Sequence, residues 1–435
     1  MSALARYFHG RGKAVHGYDR TPTPLTRALE TAGMSVHYEE DLSAIPEQLD
    51  LVVYTPAIPA THRELQYLRE QGIPVYKRAE VLGIISRHMR TIAIAGTHGK
   101  TTTSSIVTHL LREGGVDCTA FLGGIAMNLG SNFVEGSSDW VVIEADEFDR
   151  SFLHLEPELM AITSLDADHL DIYGDAEAML ETGFRAFAKK QKSGGQRWVQ
   201  ADQVDKLGLP GSLTYGIDIG DYRTTNVRVE DGYFVFDYAD GAGQLTGLRF
   251  PLPGRHNVEN ATVAIAIARY LGVADAALRQ ALLSFRGIKR RFELVYRDEA
   301  TVYFDDYAHH PSELRAAIGA ARELFPGRRL TGVFQPHLYT RTRDFAAGFA
   351  QALDRLDDAV LLDIYPAREE PIAGVTSAMV RDLMTKQSVR LAAKDELPEL
   401  LAEYHPEVLL TLGAGDISDR VEPIREFLKR RKALV

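Results

Sequence analysis

The chain of 435 residues has a single cysteine, Cys118, and only two tryptophans. One thiol excludes an intrachain disulfide framework and any metal site built from several thiolates. Positive charge is also scarce: 49 Lys and Arg stand against 60 Asp and Glu, a formal net charge of -11. A broad nucleic-acid surface has to neutralise many backbone phosphates, so no nucleic-acid partner is expected. A small anion is still allowed, because one local nest of backbone N–H groups can hold a phosphate whatever the global charge. Long apolar runs are missing as well. Nothing approaches the roughly 20 residues that a membrane-spanning helix needs, and no secretory leader is read; stable membrane insertion is not expected and the cytosol is the default location.

What is present is the composition of a globular protein, 45% hydrophobic and 25% charged. The length exceeds one ordinary core and predicts two or three domains. "SALARYF" reads as a short helix stopped by "HGRG". "KAVHGYD", "GMSVHYE", "DLVVYTPAIP" and "GIPVYKR" then read as short strands separated by helical stretches such as "THRELQYLREQ". That βα rhythm predicts one parallel sheet. Gly10 and Gly12 invite a dinucleotide-loop reading, but they precede a strand where a phosphate loop must follow one, so they read as a helix stop. A second α/β segment runs from near Thr91 to about Lys289, with a strand-rich part from about Gln196 to Pro253; a third α/β segment starts near Arg290.

The chemistry concentrates at predicted strand ends. In "TIAIAGTHGKTTT" an apolar strand runs into Gly96, Thr97, His98 and Gly99, and Lys100, Thr101 and Thr102 open a helix. Such a loop can wrap an anion with its N–H groups, helped by the helix dipole; Lys100 would reach terminal phosphate oxygens and Thr101 would offer a hydroxyl to Mg²⁺. The spacing departs from the standard phosphate loop, with two residues between the glycines instead of four. "VVIEADE" ends a strand on Glu144, placed to hold Mg²⁺ through oxygen. Asp146 and Glu147 read more readily as surface charges. In "LDADHLDIY", His169 stands among Asp166, Asp168 and Asp171, which makes it a ligand candidate and points to a two-metal ATP site. "GRHNVEN" puts Asn257 and Asn260 at a helix start, where amides can cap the helix or hold an adenine edge. Lys289, Arg290 and Arg291 could clamp phosphate or form a solvated run. "DDYAHHP" and "QPHLYTRTRD" bring Asp306, His309, His337, Arg341 and Arg343 to loops after strands, where α/β folds keep their sites.

Taken in order, "GTHGKTTT", "EADEFDRSF", "DADHLDIY", "PGRHNVENA", "RRFE", "DDYAHHP" and "FQPHLYTRT" resemble the Mur ligase family, the ATP-dependent amide ligases of peptidoglycan assembly, across essentially the whole chain. Within that family the motifs look most like the branch that joins L-alanine to UDP-N-acetylmuramate. The resemblance implies a three-domain α/β fold. A Rossmann-like sugar-nucleotide domain would occupy residues 1–88 and a central phosphate-loop ATPase domain residues 89–289. A C-terminal α/β domain, residues 290–435, would close over ATP and bind the amino acid. It implies ATP and Mg²⁺ as cofactors, with UDP-N-acetylmuramate and L-alanine as small-molecule substrates joined through an acyl phosphate. Carried over by motif, Lys100 would contact the transferred phosphate, Thr101 and Glu144 one magnesium and His169 a second. Asn257 and Asn260 would lie toward adenine, Arg291 on phosphate and Asp306 on the nucleotide. His309, His337 and Arg341 would line the amino-acid site, with His309 or His337 as the base. The family begins with a strand and a glycine-rich diphosphate loop that would end just before "MSALA"; the first domain is therefore expected to be truncated, lacking that strand and loop. Asp19 and "YTPAIP" remain from the sugar-nucleotide pocket. The competing readings are a ligase that recycles cell-wall tripeptide onto the same sugar, a small-acid kinase or ATPase that forms no amide, and a non-catalytic sugar-nucleotide binder.

Overall fold

The computed structural model describes residues 1–166, 170–367, 369–386 and 388–432. The chain divides into two compact units. One comprises Met1–Thr224, Tyr238–Leu245 and Asn260–Ala281; the other comprises Thr225–Asp237, Thr246–Glu259 and the chain from Leu282 onward.

The first unit opens with the helix Ser2–Gly10. The strands β1 (His16–Tyr18), β2 (Ser35–His37), β3 (Val52–Tyr54) and β4 (Val75–Lys77) follow, alternating with helices Pro24–Thr31, Arg63–Glu70 and Arg78–His88. The single parallel sheet expected from the sequence is not formed. β1 pairs only with β2 and β3 only with β4, as two separate parallel pairs. Each strand is three residues long and none has a fully buried position, so there is little apolar face to hold a wider sheet together. Local chemistry fixes the helices instead. Thr23 caps the helix Pro24–Thr31 by accepting from Thr26 N at 3.1 Å, with proline at the first position where no N–H is needed.

The central sheet contains β5 (Arg90–Ala95), β6 (Thr119–Ala126), β7 (Ser131–Val134), β8 (Trp140–Glu144), β9 (Leu159–Ile162), β10 (Gln196–Gln200), β11 (Leu213–Ile217), β12 (Tyr222–Glu230), β13 (Tyr233–Asp240) and β14 (Gly243–Phe250). Their order is 14-13-12-11-10-9-5-8-6-7. The strand-rich stretch expected before Pro253 is therefore an extension of this sheet, and the division between the units runs through its outer strands. β5 lies between β8 and β9, parallel to both. Ala93, Ala95, Val141, Ile143, Met160 and Ile162 enter one core cluster with Leu4, Phe121, Phe152 and Phe184. The intervening Ile92, Ile94, Val142 and Ala161 are buried too. Burial on both faces is what makes these strands read as unbroken apolar runs.

The second unit holds β15 (Glu293–Arg297), β16 (Val302–Asp306), β17 (Leu330–Phe334), β18 (Asp358–Leu361), β19 (Val389–Leu391) and β20 (Val408–Leu412), in order 15-16-20-17-18-19. Only β15 runs antiparallel to its neighbour. Successive side chains go to opposite faces. Phe304, Phe334, Leu361 and Leu410 pack with helices Pro311–Leu324 and Tyr339–Leu353. Tyr303, Val333, Val360 and Leu409 pack with Leu401, Ile424 and Leu428 on the other side.

Candidate active site

The register of the central sheet sets Ile94 opposite Glu144 and Ala95 opposite Ile162. The carboxyl ends of β5, β8 and β9 thus lie side by side, the position at which open α/β sheets hold ligands. β5 leaves the sheet through Gly96 at φ +130, where a Cβ would stand 2.1 Å from Thr163 Oγ1 and 2.7 and 2.9 Å from the backbone nitrogens of Ser164 and Thr163. The loop is clamped to the end of β9. Thr97 N donates to Ser164 O at 3.1 Å, His98 N to Ser164 Oγ at 2.8 Å and Thr97 Oγ1 to Asp166 O at 3.0 Å. Thr163 Oγ1 donates back to the carbonyl of His98. Gly99, at φ +81, caps the helix Lys100–Glu113 and passes so close to the helix Arg255–Tyr270 that a Cβ would lie 2.8 Å from Asn260 Oδ1. Two glycines with two residues between them therefore suffice: the tight approaches fall at Gly96 and Gly99, and the free N–H groups of the helix start remain for an anion.

Lys100 folds back over this loop. Its Nζ lies 2.8 Å from Gly96 O, 3.3 Å from Thr97 O, and 2.9 and 2.8 Å from the two carboxylate oxygens of Glu147. Burial opposes the ammonium most strongly, but Glu147, Asp146 and Glu144 together hold its pKa above the ordinary value, so Lys100 stays charged. Glu147 is a correction to the sequence reading. It is not a surface charge: the residue is fully buried, and its carboxylate is the counter-ion of Lys100. The chain turns sharply after β8, with Phe152 N donating to Asp146 O at 2.9 Å and Tyr173 OH to Glu147 O at 2.7 Å. A buried lysine needs a neutralising partner, and its burial is set by tertiary packing, so no local signal pointed to Glu147.

Thr101 Oγ1 donates to Glu144 Oε1 at 3.0 Å, and Gly123 N donates to Glu144 Oε2 at 2.8 Å. Gly123 was not anticipated; a Cβ there would stand 2.3 Å from the Glu144 carboxylate. This oxygen-only pair suits Mg²⁺, a hard cation. Thr102 is buried in the first turn of the helix. His169 and Asp168 lie outside the described residues; Asp166 carries an ion pair with His98, Nε2 to Oδ2 at 3.3 Å. Asn257 is buried one helical turn before Asn260.

In the second unit, the end of β16 gathers another group. The two oxygens of Asp306 accept from Phe292 N at 2.6 Å and Ala308 N at 2.7 Å. Burial pushes this carboxyl up to about 7, while Arg291 pulls it down and Glu313 adds to the rise. His309 donates its backbone N–H to Glu313 Oε2 at 2.9 Å, and its Nδ1 lies 2.9 Å from Tyr307 O. Its ring centroid is 6.0 Å from that of His337, which stacks on Tyr365 at 5.8 Å. Burial lowers the His309 pKa; Arg341 and Arg291 act the same way and Glu313 opposes them, leaving a neutral imidazole. Arg291 Nη1 is 3.9 Å from Glu313 Oε1. Glu313, which the sequence reading did not single out, is the carboxylate that His309 and Arg291 meet, and it also caps the helix Pro311–Leu324.

Comparison with known proteins gives the family. Family models match consecutive stretches: "Mur ligase family, catalytic domain" over residues 1–90, "Mur ligase middle domain" over 94–268, and "Mur ligase, glutamate ligase domain" over 290–415. The chain is 46% identical over 432 residues to a UDP-N-acetylmuramate–L-alanine ligase of Flavobacterium johnsoniae, covering 98% of this chain and 95% of that one. It is 48% identical over 441 residues to a ligase of the same name from Porphyromonas gingivalis, covering 99% and 96%. A crystal structure of UDP-N-acetylmuramate-alanine ligase from Thermotoga maritima superposes with a TM-score of 0.84 at 27% identity, over 100% of this chain and 97% of that one. With the loop, its buried lysine and the acidic strand end in place, this chain belongs to the Mur ligase family.

Proposed function

We propose that the chain is an ATP-dependent amide ligase that joins L-alanine to the carboxylate of UDP-N-acetylmuramate, in the cytoplasm, during peptidoglycan biosynthesis. The observation that carries the reading is the glycine-bounded loop with Lys100 and the Thr101–Glu144 pair at adjacent strand ends, in a chain 46% identical over 98% of its length to ligases of that name. In this reading the lactyl carboxylate attacks the γ-phosphorus of ATP, one P–O bond forms as the bond to ADP breaks, and the product is an acyl phosphate. The amine of L-alanine then attacks the acyl carbon, and the tetrahedral species collapses to amide and inorganic phosphate. Loop N–H groups and Lys100 bind and orient the terminal phosphates. Thr101 and Glu144 would hold Mg²⁺, and His169, which lies outside the described residues, is the ligand the resemblance implies for a second ion. When bound, the metal offsets charge on the phosphoryl group.

By the family resemblance, Asn257 and Asn260 would lie toward adenine, Arg291 on phosphate and Asp306 on the nucleotide. The ammonium of L-alanine must lose a proton before it attacks, and His309, neutral because it is buried, has the spare lone pair; His337 and Arg341 complete the amino-acid site. The proposed domain limits are 1–88, 89–289 and 290–435. The test is ADP release with Mg-ATP, supplying UDP-N-acetylmuramate and L-alanine separately and then together. Release that requires all three, with amide in equal amount, supports the ligase. Release without the amine and a stable phosphorylated acid would make it a kinase, and preference for a tripeptide over L-alanine would make it the recycling enzyme.

A further inference from the structure

Glu147 is the one feature of the loop that an anion-binding role leaves unexplained. Its carboxylate stands where it opposes an incoming phosphate, and like charges in a desolvated site cost binding. Its place is nevertheless firmly built. Tyr173 OH and Arg150 N donate to its carbonyl at 2.7 and 3.0 Å, and the turn that follows carries Asp149 and Arg150 at φ 50 and 55. An ammonium has three hydrogens. Here they face Gly96 O, Thr97 O and the Glu147 carboxylate, all within 3.3 Å, so Lys100 is bent over its own loop.

We propose that Glu147 is a positioning residue that competes for Lys100: it holds the ammonium against the loop carbonyls, and a nucleotide phosphate has to win the ammonium from it. The inference rests on the ATP-dependent reading above. Burial pushes the Glu147 carboxyl up to about 7 even beside Lys100, so the group can take a proton once the ammonium turns away. The consequence is kinetic. Glu147 weakens ATP and ADP binding alike and keeps ADP release from becoming slow.

The experiment compares the full chain with Glu147→Gln and Glu147→Asp. It measures affinity for ADP and for a non-hydrolysable ATP analogue with Mg²⁺, then KM for ATP and kcat. Glu147→Gln is expected to bind both nucleotides about tenfold more tightly, with KM and kcat falling together as ADP release becomes limiting. Glu147→Asp, which keeps the charge one methylene further back, falls between the two. A merely structural carboxylate gives the opposite: weaker binding in both variants, alongside a lower melting temperature. Unchanged or weaker nucleotide affinity in Glu147→Gln overturns the proposal, and if that variant does not fold, unchanged or weaker affinity in Glu147→Asp does so. Failure of the unaltered chain to bind the ATP analogue would refute the ligase reading itself.

Discussion

Gly96→Ala is the sharpest test of how the loop is built. At φ +130 an alanine is strained by about 1–2 kcal/mol through its backbone alone. Its Cβ would also stand 2.7 and 2.9 Å from the backbone nitrogens of Ser164 and Thr163, which directly follow β9 and cannot swing aside as a flexible side chain could. Overpacking of that kind adds about 1–3 kcal/mol, for a total near 2–5 kcal/mol. Gly115→Ala supplies the control. Gly115 has φ +82 and nothing within 4 Å of a built Cβ, so it costs only the backbone strain. Urea unfolding of the three proteins, followed by titration with an ATP analogue, separates the two contributions. Gly96→Ala should unfold at clearly lower urea than Gly115→Ala and lose at least about tenfold in nucleotide affinity, because the clamped loop is displaced. Equal stability of the two variants, to within about 0.5 kcal/mol, would refute the claim that the loop requires glycine for contact reasons.

Three further outcomes follow from the same geometry. Glu144→Gln removes the charge that faces Thr101 and Gly123; the Mg²⁺ concentration for half-maximal activity should rise about 10–100-fold with KM for L-alanine unchanged, and an unaltered Mg²⁺ dependence would contradict the ligand role. His309→Asn should lower kcat about 10²-fold without changing ATP-analogue affinity. Because burial lowers the His309 pKa from 6.5, the acid limb of the activity profile of the unaltered chain should fall below pH 6.5, and a limb above that value would argue against His309 as the base. His109, buried with Nε2 at 2.9 Å from Ala281 O, also has its pKa lowered by burial. As pH falls below 6.5 the unfolded chain takes up this proton first, so stability should drop by up to about 1.4 kcal/mol per pH unit. Urea unfolding at pH 7.5 and 5 should show a shallower loss in His109→Gln.

Some of the site was legible because its chemistry is local. Gly96, Gly99, Lys100 and Thr101 follow an apolar strand and precede a helix, and Glu144 ends the next buried strand; each signal lies within a dozen residues. Glu147 was misread because its environment is made by Lys100, 47 positions away, and by Tyr173. Glu313 was passed over for a similar reason. It reads as an ordinary acid in the first turn of a helix, and its role depends on His309 and Arg291 meeting it in space. The four N-terminal strands were located correctly, but alternation along a chain does not say which strands pair, and they form two pairs and not one sheet.

The order of apolar runs, glycines and charged strand ends along the sequence determined by itself an α/β chain with its phosphate loop after β5, since period, turn chemistry and strand-end residues are properties of short segments, and the seven motifs taken in order carried the resemblance to the Mur ligases. Tertiary structure alone decided which carboxylate neutralises Lys100 and which glycines are obligatory for close approach. It also decided that burial lowers the pKa of His309. Burial and charge pairing depend on atoms that distant segments bring within a few ångströms, and no local pattern encodes that distance.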